Sequence, residues 1–197
     1  MPPGFVYRVN GTSDSANVEV DFFIDLMCPD SKAAWPVLTT VAASYGSLLR
    51  LNVHSFPLPY HRVTWLSNKG SFLQPGVPPS NTPKSHTTVN WFCFKWIAKI
   101  FEVQEKFYNE PSFMKSDSEI IGELSQVAAS LGVSADWVTR SLHSDDTLEN
   151  NARVAWKYGC SRGVAGTPTF FVNGVFVDAA SWDEGKWHSF IDELLKL

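Results

Sequence analysis

Cysteine is scarce in this chain: 197 residues hold only Cys28, Cys93 and Cys160, an odd number at wide intervals. Such a set is neither a disulfide framework nor a zinc site, both of which need paired or closely spaced cysteines. Positive charge is not in excess either, with 16 Lys and Arg against 20 Asp and Glu and a net charge of −4. Nucleic acids and anionic membranes select basic surfaces, so neither fits as a partner. No apolar run approaches the ~20 residues needed to cross a bilayer. The first residues also lack the basic-then-apolar layout of a signal peptide. No metal, nucleotide or phosphate motif is present, so no cofactor is expected. These absences leave a soluble protein whose chemistry must come from its own side chains.

What is present is a core and one unusual junction. Eight tryptophans and fourteen phenylalanines are many for this length, which suits one domain or one domain carrying a sizeable insertion. Val18, Val20, Phe22, Ile24 and Leu26 alternate with Glu19, Asp21 and Asp25, the pattern of a strand with one apolar face. The strand runs into Cys28-Pro29-Asp30-Ser31. Proline fits the first helical turn, so Cys28 falls at the N-cap. The positive end of the helix dipole favours an anion there, which promotes the thiolate, the nucleophilic form of cysteine. The other reading is a small buried apolar cysteine, and at this point both stand.

The remaining elements follow in order. Residues 5–9 read as a short strand and 10–17 as a polar loop. A helix after Cys28 carries Trp35, Leu38, Val41, Ala42 and Tyr45, contains Pro36, and ends at Gly46. Residues 48–56 form a further strand, which implies a parallel crossover. From 57 to 83 six prolines mark a loop-rich departure, with one helical segment over 63–72. Helices are then expected over 87–107, 118–131 and 134–158, the last broken near Ser144-Asp145-Asp146. Trp91, Phe92, Phe94 and Trp96 are read as core rather than as a binding stripe. Thr169 to Val172 and Val175 to Val177 flank Asn173-Gly174, the favoured hairpin turn. Ser181 with Glu184 forms a capping-box pattern opening a last helix through Leu195. The order describes an α/β sheet with helices on both faces and an all-helical insertion.

The chain thereby resembles the thioredoxin superfamily, and within it the DsbA-like branch, in which a helical domain interrupts the fold. The motifs that carry the resemblance are Cys28-Pro29-Asp30-Ser31, Pro36, and Gly166-Thr167-Pro168-Thr169-Phe170-Phe171-Val172-Asn173-Gly174. With Phe56-Pro57-Leu58-Pro59-Tyr60-His61 and Ser161-Arg162-Gly163-Val164, the chain is similar to a set of thioredoxin-like proteins of unassigned activity that includes secreted plant members. The resemblance implies a thioredoxin-like domain over 1–60 and 161–197 and a helical insertion over 61–160. It also implies a cis bond before Pro168 beside the reactive sulfur, which leaves the Thr167 backbone free to pair with an extended peptide or glutathione.

Three departures from that pattern bear on activity. Ser31 stands where oxidoreductases of the family carry a second cysteine, so a mixed disulfide at Cys28 has no internal resolving thiol in its motif. Phe22 stands where the family tends to carry a buried carboxylate, and Asp30 replaces a histidine, its charge opposing thiolate formation.

Three functions are compatible with these residues. One is a monothiol oxidoreductase or isomerase using Cys28, with Ser31 bonding the sulfur and protein thiols, disulfides or glutathione as reactants. Another is a peptide-binding or chaperone-like module without turnover. The third is a kappa-type glutathione transferase, which the resemblance opposes because a serine stands there at the first motif position. Cys160 as a resolving thiol, and His54 or His61 as a base, are each weighed against a structural role, buried for Cys160 and hydrogen-bonded for the histidines. The Asn10-Gly11-Thr12 sequon leaves compartment open: secreted or in the ER lumen if a leader was trimmed, otherwise cytoplasmic.

Overall fold

The computed structural model describes residues 4–7, 16–76 and 86–196, with side chains in the last stretch described from Phe92 onward. Five strands, β1 (Phe5–Tyr7), β2 (Val18–Ile24), β3 (Leu49–Ser55), β4 (Thr169–Val172) and β5 (Val175–Val177), form one sheet in the order β1-β3-β2-β4-β5. β2 and β3 run parallel, from Val18 opposite Leu49 to Ile24 opposite Ser55. Every other pair is antiparallel. Helix α1 (Pro29–Tyr45) links the parallel pair. Between β3 and β4 lie α2 (Thr64–Lys69), α3 (His86–Val103), α4 (Asn109–Ser112), α5 (Asp117–Ala129), α6 (Ala135–Ser144) and α7 (Asp146–Ser161), and α8 (Glu184–Leu195) follows the hairpin. This is the mixed α/β sheet with a helical block between its halves that the order of sequence signals implied.

Both faces of the sheet are covered, and that corrects one expectation. β2 is buried on its two sides rather than on one. On the first face Phe22 stacks between Phe170 and Trp35, and Phe170 meets Trp187 of α8 edge-on. On the second, Phe23 stacks on His54 and on Tyr158 of α7. A strand covered on both sides need not alternate, because every position faces protein. Of the α3 aromatics read as core, Phe92 and Trp96 are fully buried, Phe94 packs against the core partly buried, and the Trp91 side chain lies outside the described residues; the Trp96 indole donates to the Ser67 carbonyl at 2.9 Å.

Local chemistry sets the element ends. Ser116 and Glu119 form a reciprocal capping box at α5, Ser134 caps α6, and Asp145 ends α6 while capping α7. Asn173 (φ 49°) and Gly174 (φ 80°) take the left-handed conformations a two-residue hairpin turn requires. The last helix departs from expectation: its N-cap is Asp183, whose carboxylate accepts from the Lys186 N–H at 2.8 Å, and not Ser181. Aspartate caps as well as serine, and it lies at the correct distance from the helix. The first strand is observed over Phe5–Tyr7, and Arg8, Val9 and the sequon lie outside the described residues.

The second face holds a polar pair. Asp21 Oδ1 accepts from Asn52 at 3.1 Å and lies 2.8 Å from His54 Nε2. Burial raises the Asp21 carboxyl, but the His54 bond and charge, Asn52 and the Arg162 charge outweigh burial and hold it below its ordinary 3.8. A carboxylate depressed on folding stabilises the protein above its unfolded value and loses that contribution as pH falls through the folded one. The wild type is therefore expected to lose stability more steeply than Asp21→Asn as pH is lowered from about 5 to about 3, measured by urea midpoints. Parallel pH slopes for the two proteins would show that this pair contributes nothing.

Candidate active site

The site is built where β2 meets α1. After Ile24 the chain turns through 25–27, and the Cys28 N–H closes the turn on the Asp25 carbonyl at 3.0 Å. Cys28 keeps an extended backbone (φ −83°, ψ 121°) at the N-cap, and Pro29 begins the helix. Pro29 and Asp30 are exposed at the helix mouth, while Ser31 is fully buried.

The Cys28 thiol lies against the loop before β4. Its Sγ donates to the Thr167 carbonyl at 3.1 Å, across 139 residues of sequence. The Thr167–Pro168 peptide bond is cis, and both residues are half-buried. Cys28 itself is 5% exposed and packs with Phe23, Phe56, Leu58, Val164 and Phe171. The Thr167 hydroxyl is buried and has no partner among the described residues. Ser31, expected to bond the sulfur, instead accepts from the Asp25 N–H at 3.3 Å, which ties the helix start to the strand end, while the thiol turns to Thr167.

Beneath the cysteine lies a carboxylate that sequence reasoning took for the solvent side of an alternating strand. Asp25 is fully buried. Its Oδ1 accepts from the Met27 N–H at 2.9 Å, from Asn68 at 3.1 Å and from the Thr64 hydroxyl. Its Oδ2 accepts from the Leu58 N–H at 3.1 Å and lies 2.6 Å from His61 Nδ1. Phe22, at the position where a carboxylate was sought, is apolar core, and the buried acid is instead three residues before Cys28. The signal lay in Phe56-Pro57-Leu58-Pro59-Tyr60-His61, whose residues 58 and 61 supply two of the five partners of Asp25. His54, by contrast, pairs with Asp21 in the core.

The helical block supplies the other wall. Gln104, fully buried just beyond α3, donates to the Leu26 carbonyl at 2.8 Å and to the Cys28 carbonyl at 3.0 Å. The Tyr108 hydroxyl donates to Gln104 at 2.8 Å. Two phenols sense the site: desolvation first, then the anionic forms of Cys28 and Asp25, push the Tyr60 hydroxyl above its ordinary value. Tyr108 is raised by desolvation, then by Glu105 and Cys28. A cleft of about 290 Å³ is lined by Met27, Pro29, His61, Tyr108, Asn109 and Glu110. A second of about 550 Å³ continues past His61 to Trp65, Glu149 and Trp156.

The other two cysteines are placed apart by their surroundings. Cys93 is fully buried in α3, where desolvation pushes its thiol well above the ordinary range. Cys160, expected to be buried, is exposed on α7. The neighbouring Gly159 faces inward instead, because a β-carbon there would strike the Phe56 ring. Among the described residues no group of three or more His, Cys, Asp or Glu side chains is arranged to hold a metal ion, and no helix is long and apolar enough to cross a membrane.

No protein-family model and no curated protein matches the chain. Solved structures do. The fold is the thioredoxin-like fold with a helical insertion, and the structures that share it include an α-DsbA1 and a thiol–disulfide oxidoreductase. Among them, Wolbachia pipientis α-DsbA1 superposes with a TM-score of 0.73 at 14% identity, over 98% of this chain and 92% of its own. BdbD from Bacillus subtilis matches at 0.67 and 15% identity, over 100% and 94%. MdbA, a thiol–disulfide oxidoreductase from Corynebacterium diphtheriae, matches at 0.65 and 15%, over 98% and 90%.

Proposed function

We propose that this protein carries out thiol–disulfide exchange through Cys28 alone. The observation that carries the reading is the Cys28 sulfur at the N-cap of α1, 3.1 Å from the Thr167 carbonyl. The deprotonated sulfur attacks one sulfur of a protein disulfide or of a protein–glutathione mixed disulfide. A new bond forms to Cys28, the old S–S bond breaks, and the departing sulfur leaves with the electron pair and takes up a proton. An external thiol then attacks the mixed disulfide in the same way and restores Cys28. Ser31 cannot close an internal disulfide, so the cycle exchanges or isomerises disulfides without net oxidation of substrate by this motif. Pro29 and Asp30 border the helix mouth, and Thr167 and Pro168 form the seat for an extended peptide laid across the sulfur. The block over 61–160, read as an inserted domain, forms the opposite wall. No cofactor enters this cycle, and an oxidising compartment such as the secretory route suits it.

A specific observation favours one other reading. At 5% exposure Cys28 is nearly covered, while the buried Thr167 hydroxyl has no partner among the described residues. Both suit a groove that binds peptide without turnover. One experiment separates the two: the protein is incubated with cell extract, disulfides are trapped by alkylation, and adducts on Cys28 are read by mass spectrometry. Mixed disulfides with proteins or glutathione, absent from Cys28→Ser, are the expected result. Peptide capture that is undiminished in Cys28→Ser, with no adduct on the wild type, would replace exchange by binding.

A further inference from the structure

We propose that His61 is the proton-transfer group of the exchange reaction and that Asp25 positions it, an inference that rests on the exchange reading above. Four donors other than His61, the Met27 and Leu58 N–H groups, the Thr64 hydroxyl and the Asn68 amide, already point at the two Asp25 oxygens, the environment of a carboxylate that accepts. His61 must therefore present an N–H from Nδ1 across the 2.6 Å contact, which leaves Nε2 as the nitrogen available to a substrate. Asp25 has no exposure, whereas the His61 side chain is 21% exposed. The histidine borders both clefts at the site, beside Met27 and Pro29 in one and Leu58 in the other. Three links hold this segment to the sulfur. Leu58 packs in the apolar cluster that contains Cys28, its N–H is fixed by Asp25, and Tyr60, ring to ring with His61 at 4.8 Å, senses the charges of Cys28 and Asp25.

In the proposed cycle the proton is taken up and given back. Cys28 passes its proton to His61 Nε2 as the thiolate forms and attacks the substrate disulfide. The S–S bond of the substrate breaks, the electron pair goes to the departing sulfur, and His61 returns the same proton to it. One S–S bond is exchanged for another, with no net change in protons or electrons. A histidine held by a buried acid thus performs what the family's buried carboxylate would do at the position that Phe22 occupies here.

The test uses leaving groups of different basicity. Second-order rates of mixed-disulfide formation at Cys28 are measured for wild type and His61→Gln with glutathione disulfide, whose alkyl thiolate needs a proton on leaving. They are repeated with 5,5′-dithiobis(2-nitrobenzoate), whose aryl thiolate does not. Loss of the base slows both reactions, and loss of the proton donor is expected to slow the glutathione reaction by about a further tenfold, so that the ratio of the two rates falls by about tenfold. Equal slowing of both, or of neither, overturns the assignment, since a purely structural histidine does not discriminate between leaving groups. Should His61→Gln fail to match the wild-type circular dichroism, His61→Asn with the same pair of disulfides decides. A wild-type Cys28 that reacts with neither disulfide defeats the exchange reading itself, whereas a reactive wild type with an indifferent His61 defeats this inference alone.

Discussion

Ser31→Cys should convert this single-thiol protein into one that forms an internal disulfide. Cys28 is the N-cap and Ser31 is the third helical residue, the two positions whose side chains face each other at the start of a helix. Ser31 is fully buried, and its hydroxyl makes one contact that a thiol can make weakly, the acceptance of the Asp25 N–H at 3.3 Å. A sulfur there lies behind Cys28, where it can attack a mixed disulfide from inside the protein. Two changes are expected in the variant. Oxidation removes two titratable thiols relative to its reduced form, and reduced dithiol substrates become oxidised with multiple turnovers in the presence of glutathione disulfide. The wild type should do neither through this motif. A variant that folds but retains both thiols under oxidation would show that residues 28 and 31 do not face each other as the helix start requires.

The second large effect is on stability. Asp25→Leu keeps side-chain bulk but leaves the buried Met27 and Leu58 N–H groups and the Thr64 hydroxyl without their acceptor, while the Asn68 amide keeps its bonds to Thr64 and the partly exposed His61 can reach water. Each buried donor left unpaired costs about 1–3 kcal/mol, with partial relief wherever water enters. A total loss of about 3–5 kcal/mol is expected, the range for removing one member of a buried network. For a chain of this size that is a fall in melting temperature of about 10 °C. Asp25→Asn, which retains one acceptor oxygen, should fall between the variant and the wild type. Urea unfolding checks both, and a loss under about 1 kcal/mol for Asp25→Leu would mean that the five bonds contribute little.

The two variants act on adjacent parts of one device. Asp25 joins the strand end, the 58–61 loop and α2, and Gln104 from the helical block holds the carbonyls of Leu26 and Cys28. The sulfur is thereby fixed from both sides of the junction. Rigid support of this kind suits a nucleophile that must meet an incoming disulfide in line.

Much of this was written locally in the sequence. Strand β2, Pro29 at the first turn of α1, Cys28 at the N-cap, the helix break near Asp145 and the Asn173-Gly174 turn all follow from side-chain period, proline geometry and short-range hydrogen bonds. Each depends on residues within a few positions of one another, so a single stretch specifies it. The side of β2 that faces α7, the burial of Asp25 and Gln104 and the exposure of Cys160 were decided only by the tertiary structure, and the meeting of Cys28 with the Thr167–Pro168 loop was implied by the family resemblance and by no local pattern. The physical reason is distance along the chain: the donors that make a buried carboxylate tolerable come from residues 27, 58, 61, 64 and 68, and the carbonyl that meets the sulfur comes 139 residues later. No local pattern records which remote groups arrive to desolvate and pair a side chain, and packing alone brings them together.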